Sequence, residues 1–209
     1  MNENPNQVTE NEKAPFFHRF VWGAFEYLEL FAFSILAVLL IFTFGVRLCR
    51  VDGESMENTL YDGEKLLLYS LAYEPKQDDI VVFHLTNNSF SMEKTLVKRV
   101  IALEGQEVVI NTNTGEITVD GTPYEDSHSV LKDRFTDEVI DQYQKDLFFT
   151  DFDYTTGIFR ATVPEGKIFV LGDNRNNSKD SRNPQVGFVD ERCVLGKVIL
   201  RVHPFEIFS

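Results

Sequence analysis

Three short stretches carry residue types that could do chemistry together. In Val51-Asp52-Gly53-Glu54-Ser55-Met56-Glu57-Asn58-Thr59-Leu60, a serine follows a glycine and a glutamate. In Thr95-Leu96-Val97-Lys98-Arg99-Val100-Ile101, a lysine sits inside an otherwise apolar, strand-like run. The third, Leu171-Gly172-Asp173-Asn174-Arg175-Asn176-Asn177-Ser178-Lys179-Asp180-Ser181-Arg182, holds more hydrogen-bonding side chains than a simple connection requires. A serine hydroxyl at its free pKa is a poor nucleophile and needs a neighbouring base. Lysine can be that base only when neutral, and burial among apolar groups drives its pKa down. Leu96, Val97, Val100 and Val170 are the apolar candidates to enclose Lys98. The chemistry these stretches point to is that of a Ser–Lys hydrolase.

Each stretch alone has a blander reading. Lys98 could point to water from a strand edge, with Arg99 alternating to the other face. Ser55 could be a turn residue. Asp173, Asn174, Asn177 and Asp180 are oxygen-bearing, but an EF-hand calcium loop wants a ligand where Arg175 stands and a glycine at Ser178, which excludes it. Among the histidines, His84 and His203 end strand-like runs and offer the rival arrangement, a Ser-His-Asp triad; His18 and His128 lie elsewhere in the chain.

Taken in order, the three stretches resemble the motifs of the type I signal peptidases. That family's nucleophile motif, Gly-x-Ser-Met-x-Pro-Thr-Leu, stands here as Gly53-Glu54-Ser55-Met56-Glu57-Asn58-Thr59-Leu60. Its lysine motif, Lys-Arg-Val-Ile-Gly-Leu-Pro-Gly-Asp, stands as Lys98-Arg99-Val100-Ile101-Ala102-Leu103-Glu104-Gly105-Gln106. Its Gly-Asp-Asn-x-x-x-Ser-x-Asp-Ser-Arg motif is matched from Gly172 to Arg182. The resemblance implies Ser55 as nucleophile and Lys98 as neutral general base. It implies that Ser178 hydrogen-bonds and orients the amine, that Asp180 and Arg182 form a supporting ion pair, and that Gly172, Asp173 and Asn174 shape the adjacent wall. Met56, Leu60 and Val97 are expected to line a shallow apolar wall for substrate. The departures at Asn58, Ala102, Glu104 and Gln106 fall in turns after the catalytic residues. Where some members carry a hydroxyl two residues before the nucleophile, this chain has Gly53, so oxyanion stabilisation falls on backbone N–H groups, chiefly that of Ser55.

The resemblance further implies a membrane-bound endopeptidase that removes signal peptides from secretory pre-proteins after small residues at −3 and −1, with no metal and no cofactor. Its bound substrate is expected as an extended strand. It places the catalytic domain on the extracytoplasmic side of the cell membrane. Oligomeric state has no signature in the sequence. Two rivals share parts of the pattern. A self-cleaving repressor-type Ser–Lys protease would want a DNA-binding helix pair where this chain has an apolar run. A non-catalytic assembly chaperone on the same scaffold would lack Ser55 or Lys98.

The elements that must position these residues begin with that run. Leu30 to Val46 is seventeen residues without a charge, and Trp22 and Tyr27 stand where interfacial aromatics belong. Residues 1–23 are expected as a polar cytoplasmic tail and 24–46 as an uncleaved transmembrane signal-anchor. From Arg47 to Ser55 the chain can span at most ~25–30 Å, so chemistry at Ser55 would happen close to a bilayer. A formal charge of −13 argues against a nucleic-acid partner and against docking on anionic lipid by attraction alone. Membrane lipid must therefore be engaged by apolar insertion. The two cysteines, Cys49 and Cys193, provide no disulfide framework.

Beyond the anchor, short β-type runs alternate with turn residues: Lys65–Tyr69, Ile80–Leu85, Thr95–Leu103, Glu107–Ile110, Glu116–Val119, Ile168–Leu171 and Val194–Val202. Asn111–Gly115 reads as a hairpin loop and Asp120-Gly121 as a turn. The expected fold is mostly β: an antiparallel catalytic core over 47–103 and 166–209, with an inserted β-rich, acidic subdomain over 104–165. Within the insertion, Glu125 to Asp153 holds nine acidic residues against Lys132, Arg134 and Lys145. There Phe135, Val139, Tyr143 and Leu147 recur at a spacing that permits one amphipathic helix.

Overall fold

A computed structural model describes residues 16–87, 92–125, 127, 129, 152–153 and 155–208. The chain forms two units, Met1–Thr43 and Phe44–Ser209. In the first, helix α1 covers Phe16–Leu40, so residues expected in the tail are already helical. The stretch Phe25–Thr43 has a mean hydropathy of 2.1 and is long and apolar enough to cross a membrane. Its side chains are exposed all round, Leu30 and Phe33 each above 60%. That is the pattern of a span, whereas a core helix of a soluble domain hides one face. Nineteen residues of helix rise ~28 Å, close to the hydrocarbon thickness of a bilayer.

The second unit is built from two antiparallel sheets. The larger contains β1 (Val46–Arg50), β2 (Lys65–Tyr69), β3 (Ile80–Asn87), β4 (Met92–Ala102), β10 (Lys167–Leu171), β11 (Val189–Asp190), β12 (Val194–Arg201) and β13 (Glu206–Ile207). Its order is β1-β2-β12-β3-β4-β10-β11, with β13 on β12. The smaller contains β5 (Glu107–Asn111), β6 (Ile117–Val119), β7 (Thr122–Pro123), β8 (Phe152–Asp153) and β9 (Ile158–Thr162), in the order β7-β6-β5-β9-β8. The Asn111–Gly115 turn closes as the composition predicts. Asn111 Oδ1 accepts from Asn113 N at 3.0 Å and Thr114 N at 3.2 Å, and Gly115 takes a φ of 78°. The proposed helix through Phe135, Val139, Tyr143 and Leu147 lies outside the described residues.

Alternation along the strands decides what is buried. β2 alternates with Leu66 and Leu68 inward, and β5 with Val108 and Ile110 inward. Leu66 and Leu68 join Val51, Ile80, Val82 and Val198 in one core. A second core is shared by both sheets: Ile101, Ala102, Phe169 and Leu171 pack with Val108, Ile110, Val119 and Phe159. Phe169 is its hinge, with ring centroids 6.1 Å from both Phe159 and Phe188. Truncating Phe169 to alanine should cost about 3–5 kcal/mol in a denaturant titration and loosen both sheets together. An unchanged midpoint would mean the sheets do not share this core.

Candidate active site

The three chemistry-bearing stretches converge at the place where β4 loses its neighbour. β4 pairs with β3 from Met92 to Arg99, including Val81↔Lys98 and Val82↔Val97. On its other side, pairing with β10 starts only at Arg99↔Leu171, and the chain leaves β10 at Gly172. The segment just before Arg99 therefore borders the polar loop and the serine turn instead of another strand. Lys98 is 2% exposed, and its Nζ lies 2.6 Å from Ser55 Oγ. The same nitrogen donates to the Val97 carbonyl at 2.8 Å. Burial pushes the amine down from 10.5 to about 8, while the charges of Asp180 and Asp173 pull it up and that of Arg182 pushes it down.

Ser55 sits at the start of a tight turn that runs to Leu60. Thr59 N and Leu60 N both donate to Met56 O, at 2.9 and 2.8 Å, and Glu57 N donates to Glu54 O at 3.1 Å. Gly53 enters this turn at φ 93°, a conformation that favours glycine, and its N–H is held by Asp62 Oδ1 at 2.9 Å. The polar loop grips the turn from outside. Asn174 donates its backbone N–H to Ser55 O at 3.1 Å and its side-chain amide to Glu54 O at 3.1 Å. Asn177 reaches Glu54 Oε2 at 3.2 Å.

Two buried ion pairs brace the loop. Arg182 binds both oxygens of Asp180 at 2.8 Å and also donates to the Arg175 carbonyl at 2.8 Å. Burial alone would raise the Asp180 carboxyl, but Arg182's charge and hydrogen bonds, the Gly172 N–H and the Ser178 hydroxyl hold it below the usual range. Arg99 forks onto Asp173 at 2.9 and 2.7 Å. Asp173 also accepts from Thr59 Oγ1 at 2.5 Å, which ties this pair to the serine turn. Burial would lower the Arg99 guanidinium, yet the bonds and charge of Asp173 raise it. Beyond the loop, Arg99 donates to the Asp78 carbonyl at 2.9 Å and Tyr124 donates to the Asp78 carboxylate.

Several expected roles change. Met56 and Leu60 are both 0% exposed, inside the core with Leu66 and Val82, so they do not form a surface wall for substrate. Their periodicity in the turn points them inward, where they hold the serine from beneath. Val97, half-buried, packs against the same core. Ser178 Oγ is directed to the Asp180 carboxyl and not to the lysine; Val97 O and Ser55 Oγ are the partners of the Lys98 amine. Ser178 instead packs on Gly172, where any added Cβ would collide with Ser178 and with the Ser55 carbonyl.

Arg99 and Thr59 were not singled out from the sequence. An arginine inside an apolar run needs a buried partner, and that signal could have found it. Among the described residues, no group of three His, Cys, Asp or Glu side chains converges as metal ligands would. His84 meets Thr95 and Glu93, and lies in neither hydrogen-bonding shell of Ser55.

The signal peptidase, peptidase S26, family model matches residues 24–203. The chain belongs to this family. Signal peptidase IB of Staphylococcus aureus is 30% identical over 198 residues, which is 88% of this chain and 92% of that protein. A probable signal peptidase I-1 of Synechocystis is 28% identical over 186 residues, 86% of this chain and 82% of that protein. A crystal structure of a signal peptidase I from Enterococcus faecalis V583 is 28% identical, the match covering 60% of this chain and 97% of that one at a TM-score of 0.36. Signal peptidases of this family are serine peptidases, and their reaction is signal-peptide processing. The repressor-type alternative therefore falls away.

The buried amine has a consequence for stability. In the folded signal peptidase Lys98 gives up its proton near 8, whereas in the unfolded chain it does so near 10.5. Between those values the unfolded chain binds more protons, so this group makes stability rise with pH across that window. Below it the buried ammonium costs about 3 kcal/mol in full. Lys98→Met should accordingly be more stable than the wild type well below pH 8, and the advantage should shrink towards pH 10.5. Denaturant midpoints measured across that range check this; a difference that does not change with pH would contradict it.

Proposed function

We propose that this signal peptidase is a membrane-anchored Ser–Lys endopeptidase in which Ser55 is the nucleophile and neutral Lys98 the general base. The observation that carries the reading is the 2.6 Å contact between a serine hydroxyl and a lysine amine that is 2% exposed. A neutral amine has two N–H groups and one lone pair. With one N–H taken by the Val97 carbonyl, the lone pair is free to face Ser55 Oγ. The residues from Gly172 to Arg182 hold the geometry, with Asn174 on the backbone of Ser55 and the Asp180–Arg182 pair behind it. Ser178 remains a supporting residue through its packing on Gly172.

In the reaction the Ser55 proton passes to Lys98 as Oγ attacks the scissile carbonyl. The oxyanion is received by the Ser55 backbone N–H, at the head of the hydrogen-bonded turn. Collapse breaks the C–N bond, and the Lys98 ammonium returns the proton to the departing amine of the mature protein. Lys98 then takes a proton from water, whose oxygen attacks the acyl-enzyme; the bond to Ser55 Oγ breaks, Lys98 returns that proton to Oγ, and the signal peptide leaves as a carboxylic acid. The substrate is a pre-protein segment with small residues at −3 and −1, laid as an added strand along β4 before Arg99, where β10 provides no cover. Residues 24–46 anchor the chain in the lipid of the cell membrane, with the catalytic core on the extracytoplasmic side.

Ser55→Ala and Lys98→Met should each lower kcat by at least about a thousandfold, and the double variant should be no worse than either single one. The assay is cleavage of a pre-protein by the detergent-solubilised full chain, with N-terminal sequencing of the product. Substantial turnover by Lys98→Met would contradict the Ser–Lys assignment. For the wild type, kcat/KM should rise with pH through a single ionisation near 8, because the base acts only when deprotonated. A limb at the ordinary lysine value would remove the neutral base from the mechanism.

A further inference from the structure

The C-terminal hairpin of β12 and β13 ends beside the serine turn, and the side chain of Arg201 reaches into that turn. Arg201 closes β12, pairing with Glu206 of β13. Its side chain is only 12% exposed. Two of its contacts stay within the hairpin: Nε donates to the Pro204 carbonyl at 3.1 Å, and Nη2 pairs with Glu206. The others leave it. Nη1 donates to the Thr59 carbonyl at 3.0 Å and to Glu64 Oε1 and Oε2 at 3.2 and 3.3 Å. Glu64, 10% exposed, also accepts the Tyr61 N–H at 3.0 Å. A guanidinium can serve all of these because its donors form a planar fork; a lysine amine could not span them.

Thr59 is thereby held at both ends. Its hydroxyl binds Asp173, which Arg99 neutralises, and its carbonyl binds Arg201. Its own N–H is bonded to Met56 O, next to the nucleophile, so displacement of Thr59 is passed along a hydrogen-bonded turn to Ser55. If Arg201 served only to finish the hairpin, contacts to Pro204 and Glu206 would suffice. The bonds to Thr59 and Glu64 give it a second task.

We propose that Arg201 is a positioning residue for the nucleophile: the C-terminal hairpin clamps the turn 55–64 so that Ser55 Oγ stays in reach of Lys98. This rests on the Ser–Lys reading above and extends it to a segment outside the three motifs. Removing the guanidinium leaves the Thr59 carbonyl without its donor and Glu64 without its cation. A misplacement of about 1 Å at a reacting pair can cost on the order of a hundredfold in rate.

The test uses the detergent-solubilised full chain and one pre-protein substrate. Arg201→Met should lower kcat roughly ten- to a hundredfold with KM changed by less than about twofold. Its kcat/KM should still rise with pH near 8, because the lysine pocket is untouched. Glu64→Gln, which breaks the same clamp from the other side, should lower kcat in the same direction and remains informative if Arg201→Met does not fold. Val119→Ala, in the core of the smaller sheet, is the control for lost stability alone and should leave kcat unchanged while the enzyme is folded. The inference is overturned if folded Arg201→Met or, failing that, Glu64→Gln keeps kcat within about twofold of wild type, or if Val119→Ala loses as much. The two readings fail separately. An active Arg201→Met beside inactive Ser55→Ala and Lys98→Met sinks only the clamp, while an active Lys98→Met sinks the reading beneath it.

Discussion

A lysine amine taken out of water, 2.6 Å from a serine hydroxyl, is the constraint on which the rest of the structure depends. Water would keep that amine charged, and a charged amine cannot accept the serine proton. Exclusion of water is supplied by β4 and by the turn and loop packed against it. The difficulty is that Asp173 and Asp180, both fully buried, lie near enough to pull the amine back towards its charged form. Each is bound by an arginine through a fork, Asp173 by Arg99 and Asp180 by Arg182. The carboxylates are thus spent on their own partners, and desolvation remains the largest influence on the lysine.

This arrangement is costly to fold. Arg99, Asp173, Arg175, Asp180 and Arg182 are all buried, and buried ions seldom repay their desolvation fully. The two apolar cores on either side supply the compensation. Met56 and Leu60 belong to that supply, although they lie within the nucleophile motif. The motif mixes the serine that contacts Lys98 with residues that hold the turn, and burial separates them.

Much of this was legible from residue types and spacing. The strand Lys65–Tyr69 is found where its alternation puts it, and β3, β4, β10 and β12 differ from expectation only at their ends. The mostly antiparallel β architecture follows from the same period. β1 was not anticipated, because Val46–Arg50 continues directly from the apolar run and its two arginines read as flanking charges. β13, of two residues, was hidden by its shortness, and β9 by the arginine and threonine that break its apolar pattern. In the site, Ser55 and Lys98 were evident as a pair, but their helpers depended on distance in space. Arg201 is 142 positions from the Thr59 carbonyl it holds, and Thr59 is 114 from Asp173. No local pattern reports such contacts. Val97 has a further part that side-chain patterning does not report, since its backbone carbonyl accepts from the Lys98 amine.

The central claim is that burial lets Lys98 give up its proton near pH 8, well below the ordinary lysine value, and the most direct measurement is its own titration. Carbon-13 labelling of the lysine Cε positions, with the Lys98 resonance assigned by its loss in Lys98→Met, allows that pKa to be read by NMR in the detergent-solubilised chain. The account predicts a midpoint near 8. A Lys98 midpoint at the ordinary value of 10.5 would contradict it.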